Sequence, residues 1–235
     1  MGRIVKRLGY TRKKISWRTV PRDLRNDIDE FCEALAGIDP TDIISLDETG
    51  FSSLLAPSHG YAPKGQRLLA KLEGVKRTRC SCTMGVASDG IVAWALTHGA
   101  VNKVKFVDFL DALRGTPQHY VLMDNIKFHH SHEVLEKLHD IGKAPIFTPP
   151  YSPEFNPIEN VFSALKSWVR KDTSSRSGGV DAHMLRIHTI VDAFCTMPMD
   201  GQRYFDHLYA EVERQTYQQP NVMLVSDNSD EAAAG

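Results

Sequence analysis

Thr148-Pro-Pro-Tyr-Ser-Pro-Glu-Phe-Asn-Pro-Ile-Glu-Asn160 joins a short apolar run, Ala144–Phe147, to a long amphipathic one, Pro157–Arg170. The first run reads as a strand and the second as a helix. The junction carries helix-start chemistry: Asn156 as N-cap, Pro157 at the first helical position and Glu159 at the third. Glu159 could reach back to the cap in a capping box. Ile158, Val161, Phe162, Leu165, Trp168 and Val169 fall on one helical face, so this helix buries that face against a sheet. Glu159, Ser163, Lys166 and Arg170 fall together on a flank. An acid leading a row of hydroxyl and basic groups suits a helix that borders a phosphate backbone. A solvated face would have the same composition.

Working towards the N-terminus, Ser131–Leu138 reads as a helix with Ser131 as candidate N-cap, and Tyr120–Met123 as a strand. Lys105–Leu113 has helical spacing. Arg79–Val86 and Ile91–Leu96 are strand-like runs joined by Ala87-Ser-Asp-Gly90, a hairpin signal because Asp-Gly tolerates positive φ. Gly60–Gly65 is a turn-rich loop. A first strand runs from Asp42 to Asp47. A helix over Arg22–Ala36 precedes it, ended by Gly37-Ile-Asp-Pro40. Beyond the Pro-rich junction, Lys171–Val180 is a Ser- and Gly-rich link, and Met184–Phe194 and Gln202–Gln215 read as helices covering the sheet. A meander followed by alternating helices and strands implies an α/β fold: a mixed sheet with helices on its faces.

Two further acids sit at strand ends in this reading. Asp47 closes Ile43-Ile-Ser-Leu-Asp, with Ile43, Ser45 and Asp47 on one face and Ile44 and Leu46 on the other. Glu48 would point to the opposite side. Asp124 follows Tyr120–Met123 and precedes Asn125, with His129 close behind. Each acid alone has an ordinary explanation as a turn former or cap. Together they form a candidate site, because active residues of α/β sheets gather at the carboxyl ends of strands. If the three meet, carboxylates 4 Å apart repel by about 4 kcal/mol at an effective dielectric of 20. Without metal, at least one would stay protonated. Two divalent cations would reverse the balance, and such a pair serves phosphodiester chemistry.

Composition fits this reading. A length of 235 residues, 42% of them hydrophobic, is enough for one large domain with a core. No run approaches the ~18 apolar residues of a membrane helix, and the basic N-terminus lacks the apolar stretch of a secretory signal. Cys32, Cys80, Cys82 and Cys195 are too few for a disulfide scaffold, and Cys80 and Cys82 complete no zinc motif. The net charge is −1, but residues 1–25 carry nine basic side chains and one acid, +8, leaving −9 for the rest. A basic arm on an acidic body suits contact with a polyanion. The acidic tail from Ser226 to Gly235 is low in complexity and reads as disordered. The expected organisation is a basic arm and linker helix over 1–39, a catalytic domain over 40–220 and a tail over 221–235.

The Pro-rich stretch through Lys166 closely resembles the signature around the catalytic Glu of the Tc/mariner superfamily of DDE transposases, including their bacterial insertion-sequence relatives. Val121-Leu-Met-Asp-Asn125, with His129 and Ser131, resembles the second-Asp motif, and Leu46–Phe51 the first. Between Asp124 and Glu159 lie 34 residues (159 − 124 − 1), as in the branch ending in Glu. The resemblance covers roughly 40–172. It implies an RNase H-like fold with a five-stranded mixed sheet flanked by helices. It implies a catalytic, metal-binding triad of Asp47, Asp124 and Glu159 holding two Mg²⁺ or Mn²⁺ ions. The implied reaction is cleavage of DNA at transposon ends, then attack of the 3′-hydroxyl on target DNA at a TA step. Implied partners are double-stranded DNA and a second copy of the chain, with no membrane. Expected DNA contacts are Asn125, His129, Lys166 and Arg170, with Arg12, Lys13 and Lys14 on the arm. The setting would be the cytoplasm and nucleoid in a bacterium or the nucleus in a eukaryote. Arg3–Trp17 resembles the end of the family's N-terminal DNA-recognition region, so the chain is expected to be a catalytic half. The competing readings are a structure-specific nuclease of the same fold and a catalytically silent, transposase-derived DNA-binding protein.

Overall fold

β1 (Ile43–Ser52) is the spine of a five-stranded mixed sheet of order β3-β2-β1-β4-β5. The computed structural model describes residues 24–53, 78–172 and 179–217. β2 (Arg79–Ala87) and β3 (Gly90–His98) form an antiparallel hairpin on one side of β1. Gly90, at φ +132°, makes the turn that an L side chain would resist. β4 (Tyr120–Met123) and β5 (Ala144–Phe147) run parallel to β1 on the other side.

β1 is longer than the expected strand ending at Asp47. It pairs with β4 only through Ser45, but β2 accompanies it from Ser45 to Ser52. Asp47 therefore lies inside the strand, opposite Met84, and Thr49-Gly50 is no turn. Asp124 does follow its strand. Two residues beyond the Ser45–Leu122 pair, the parallel register brings Asp47 abreast of Asp124.

Helices cover both faces. On one lie α2 (Lys103–Leu110) and α3 (His132–Asp140), where Phe106, Leu110, Val134 and Leu138 close over Ile44, Leu46, Val121 and Met123. The other face is covered in two patches. α4 (Ile158–Lys171) and α5 (Gly179–Cys195) seal Phe51, Cys80, Cys82 and Met84 with Phe162, Leu165 and Val191. α1 (Leu24–Leu35) and α6 (Gln202–Tyr217) bring Phe31, Leu35, Phe205 and Leu208 over Ile43, Leu122 and Ile146. Between these apolar patches, on the same face of β1, lie Ser45 and Asp47. The period-2 alternation of β1 thus places a polar seam between two hydrophobic clusters. Cys80 and Cys82 are buried free thiols on one face, as their spacing implies. Among the described residues, no helix is long and apolar enough to cross a membrane.

The arm, the Gly60–Gly65 loop and the acidic tail lie outside the described residues. So do Arg12, Lys13 and Lys14.

Candidate active site

The sheet and the start of α4 bring Asp47, Asp124 and Glu159 to the lining of one cavity of about 380 Å³. Asn125, Ile126, Asn156 and the loop from Thr148 to Pro153 complete its walls. Three acids spread over more than a hundred residues of sequence thus share one space.

Asp47 is the deepest of the three, at 9% exposure. Its Oδ1 accepts the Glu48 N–H at 2.6 Å, and its Oδ2 accepts from Asn156 Nδ2 at 3.0 Å. Asn156 Oδ1 in turn accepts from Ser45 Oγ at 2.6 Å, and Ser45 Oγ accepts the Ile158 N–H at 3.3 Å. This chain of buried bonds pins the first turn of α4 to β1. It also corrects the capping expectation. The Asn156 side chain turns away from the helix end, which has no side-chain cap, and reaches the sheet instead. No capping-box bond occupies Glu159, which is exposed and lines the cavity. A similar correction applies to Ser131. It stands at the N-cap of α3, but its buried hydroxyl makes no cap bond.

Asp124 is held from behind by His129. The His129 Nδ1 lies 2.7 Å from Asp124 Oδ1 and 3.1 Å from its main-chain carbonyl. His129 is fully buried, packed between Phe106 at 4.6 Å, tilted, and Phe128 at 4.2 Å, edge-on. It therefore touches the site but presents nothing to solvent, and the expected direct DNA contact is corrected to a positioning one. Its Nε2 faces Glu48 Oε1 at 3.8 Å, beyond hydrogen-bond range, and neither atom has another partner. Glu48 is on the opposite side of β1 from Asp47, as alternation requires. It nevertheless belongs to the site through His129. Asn125 is exposed beside Asp124, its Oδ1 2.6 Å from His130 Nε2, and His130 stacks on Phe147.

On α4, Arg170 and Ser163 are exposed with Glu159, and Lys166 is half-buried. None of Ser163, Lys166 and Arg170 lines the cavity.

The electrostatics are those of an overcrowded anionic site. Burial, and then the charge of Asp124, pushes the Asp47 carboxyl up to about 8. Burial works against a charge on His129, but Asp124 and the nearby Glu48 carboxylate outweigh it and hold the imidazole up at about 9. The donor set is hard oxygen: the carboxylates of Asp47, Asp124 and Glu159 line one cavity, and His129 holds Asp124 from the side away from it. Such a set fits Mg²⁺ or Mn²⁺ chemically. Among the described residues, no three His, Cys, Asp or Glu side chains are grouped tightly enough to hold an ion, so the acids line the cavity without converging on a point.

The sequence reading missed the structural use of Asn156, the Glu48–His129 contact and Tyr151. Asn156 carried a competing cap signal that hid its reach across the fold. Glu48 was set aside by strand alternation, which is correct for its direction but blind to a histidine arriving from elsewhere. Tyr151 has the one positive φ, 56°, among the described non-glycine residues, and no periodicity marks it.

Comparison with known proteins gives the family and the fold. A sequence profile described as DDE superfamily endonuclease matches residues 42–179, more than half of the chain. No curated protein sequence matches significantly. Among solved structures, the Mos1 strand transfer complex is similar with a TM-score of 0.69 at 16% identity, over 91% of this chain and 67% of that one. The Mos1 mariner paired end complex with Mn gives 0.67 at 16% identity, over 92% and 68%. The catalytic domain of Mos1 mariner transposase alone gives 0.59 at 16%, over 86% and 95%. These likenesses show a shared fold, the RNase H-like sheet with its flanking helices. The chain belongs to the DDE superfamily endonucleases.

Proposed function

We propose that this chain is the catalytic unit of a DNA transposase of the Tc/mariner type, cleaving DNA at transposon ends and joining the 3′-hydroxyl to target DNA at TA. The observation that carries the reading is the meeting of Asp47, Asp124 and Glu159 in one cavity on a DDE fold. The likeness to Mos1 complexes on transposon ends and after strand transfer supports it. Asp47, Asp124 and Glu159 are the residues that would hold Mg²⁺ or Mn²⁺, two ions in this reading. Bound there, the ions supply charge neutralisation and activation of the attacking oxygen. The protein's own part is orientation. Asn156 fixes the Asp47 carboxylate, and His129 fixes that of Asp124. α4 fixes the direction of approach of Glu159. Lys166 and Arg170, further along α4, neutralise the flanking phosphates, and Asn125 contacts the backbone at the cavity edge. The basic arm with Arg12, Lys13 and Lys14 adds salt-dependent affinity. No protein nucleophile is used in this reading: Ser152, one of the hydroxyls lining the cavity, is buried and donates to the Pro150 carbonyl. A reaction on two ends calls for a homodimer, and its setting is wherever the DNA is, nucleoid or nucleus.

The test is to incubate the chain with a pre-nicked TA-containing duplex and Mn²⁺ beside Asp124→Asn. Joined products that vanish in the mutant establish a transferase. Cleavage without joining favours a nuclease. Binding of DNA with neither reaction, and no uptake of Mn²⁺, rejects the catalytic reading.

A further inference from the structure

We infer that Tyr151 is a stacking platform for a nucleobase adjoining the phosphate held at the acids, an inference that rests on the DNA-processing reading above. Three observations meet at this residue. The residue is 72% exposed, the most exposed of the large hydrophobic residues among those described. It lines the same cavity as Asp47, Asp124 and Glu159. Its backbone is left-handed at φ 56°, a conformation that a bulky L-residue adopts only when its surroundings impose it.

The surroundings do impose it. Pro149, Pro150 and Pro153 restrict φ on both sides of the tyrosine. Thr148 N donates to the Met123 carbonyl at 2.9 Å, Ser152 Oγ to the Pro150 carbonyl at 3.1 Å, and Phe155 is buried against Phe31. A loop stitched down at both ends thus holds one aromatic ring out at the rim of an acidic, metal-type cavity. Packing does not account for this, since the ring is exposed. Chain conformation does not either, since glycine would occupy the position without strain. Stacking on a flat partner accounts for both, because a ring already fixed in place loses little freedom on binding.

The partner's chemistry follows from the cavity. A volume of about 380 Å³ takes in a single nucleotide unit rather than a duplex. With its phosphate at the acids, that unit's base extends to the rim. Every base has a π-face, so stacking there is tolerant of sequence. The neighbouring cavity that shares Asn125, Thr148 and Pro149 is walled by Asp27 and Glu30 and is no track for a polyanion. The base is therefore placed on the Tyr151 side.

The experiment uses the full chain and a nicked duplex with 2-aminopurine beside the nick, in Ca²⁺ so that no turnover occurs. Wild type and Tyr151→Phe should quench the fluorophore alike. Tyr151→Gly, which relieves the backbone, should lose the quenching and weaken binding about 5- to 150-fold while melting at the same or a higher temperature. In Mn²⁺ its loss should appear in KM more than in kcat. Unchanged quenching and affinity in Tyr151→Gly overturn the inference, even where Asp124→Asn shows that the acids catalyse. Quenching that depends on Tyr151 in a chain that performs no cleavage upholds the stacking site and instead rejects the transposase reading.

Discussion

Asn156 ties the start of α4 to the side chains of Ser45 and Asp47, more than a hundred residues earlier, and its loss has a double cost. Asn156→Ala removes a donor to Asp47 and an acceptor for Ser45, both buried. We expect a destabilisation of about 1–3 kcal/mol in urea denaturation, together with loss of strand transfer, because Asp47 loses its fixed orientation. Asn156→Asp sets a second carboxylate against Asp47 and should be worse than Ala on both readouts. His129 acts on Asp124 in the same way. Replacing it with Leu fills the space between Phe106 and Phe128 but removes the Asp124 contact. Partners of this kind typically change metal affinity or activity by about 10- to 100-fold. Titration with Mn²⁺ should show a loss of that order in His129→Leu with little change in melting temperature. An unchanged Mn²⁺ affinity would leave His129 as a packing residue only.

At the scale of elements, the structure turns on how β1 changes partners. Its first residues, Ile43 to Ser45, pair with β4, and from Ser45 onwards β2 takes over, so the two pairings overlap at Ser45. The Asp47 carboxylate is thereby exposed to the gap that opens where β4 ends. α6 enters this framework through a close backbone approach. A Cβ on Gly201 would stand 2.3 Å from the Ala87 carbonyl oxygen and 2.8 Å from that of Ser88, at the β2–β3 turn. Main chain cannot swing aside as a side chain can. Gly201→Ala should therefore destabilise by about 1–3 kcal/mol, the usual range for overpacking. Thermal melting measures it, and a neutral result would mean that the α6 entry and the hairpin turn are free to separate.

For the whole molecule, the acidic site opposes folding until a cation is bound. The Asp47 carboxyl is raised to about 8 from an ordinary value of 3.8. Between those pH values the folded state keeps a proton that the unfolded chain has lost. Stability contributed at this group therefore falls as pH rises from about 4 and is fully lost above about 8. Without divalent ions, Asp47→Asn should be more stable than wild type at pH 8. The advantage is on the order of a few kcal/mol and shrinks towards pH 4. Mg²⁺ or Mn²⁺ should raise the melting temperature of the wild type more at pH 8 than at pH 6, since the ligands must be deprotonated to bind. Asp47→Asn should lose most of that increment. A wild-type stability in EDTA that rises steadily to pH 9 relative to the mutant would contradict the crowding of acids described here.

Much of this was legible from the chain itself, for local reasons. The 3.6-residue period of Ile158–Val169 and the alternation of Ile43–Asp47 are properties of neighbouring residues, and helix and strand formation answer to neighbours. The Pro-rich stretch, the spacing of the acids and the Asp-Gly turn likewise needed no knowledge of distant contacts, and they carried the family, the fold class and the three acids. What the sequence could not determine depended on partners far along the chain. Asp47 reads as the end of a strand until β2, more than thirty residues later, pairs past it. Asn156 reads as a cap until Ser45 and Asp47 offer it better bonds from across the core. Glu48 reads as an outsider until His129 is packed behind it. Only the tertiary structure decides these, because a hydrogen bond between residues a hundred positions apart exists only once the sheet order has brought them together.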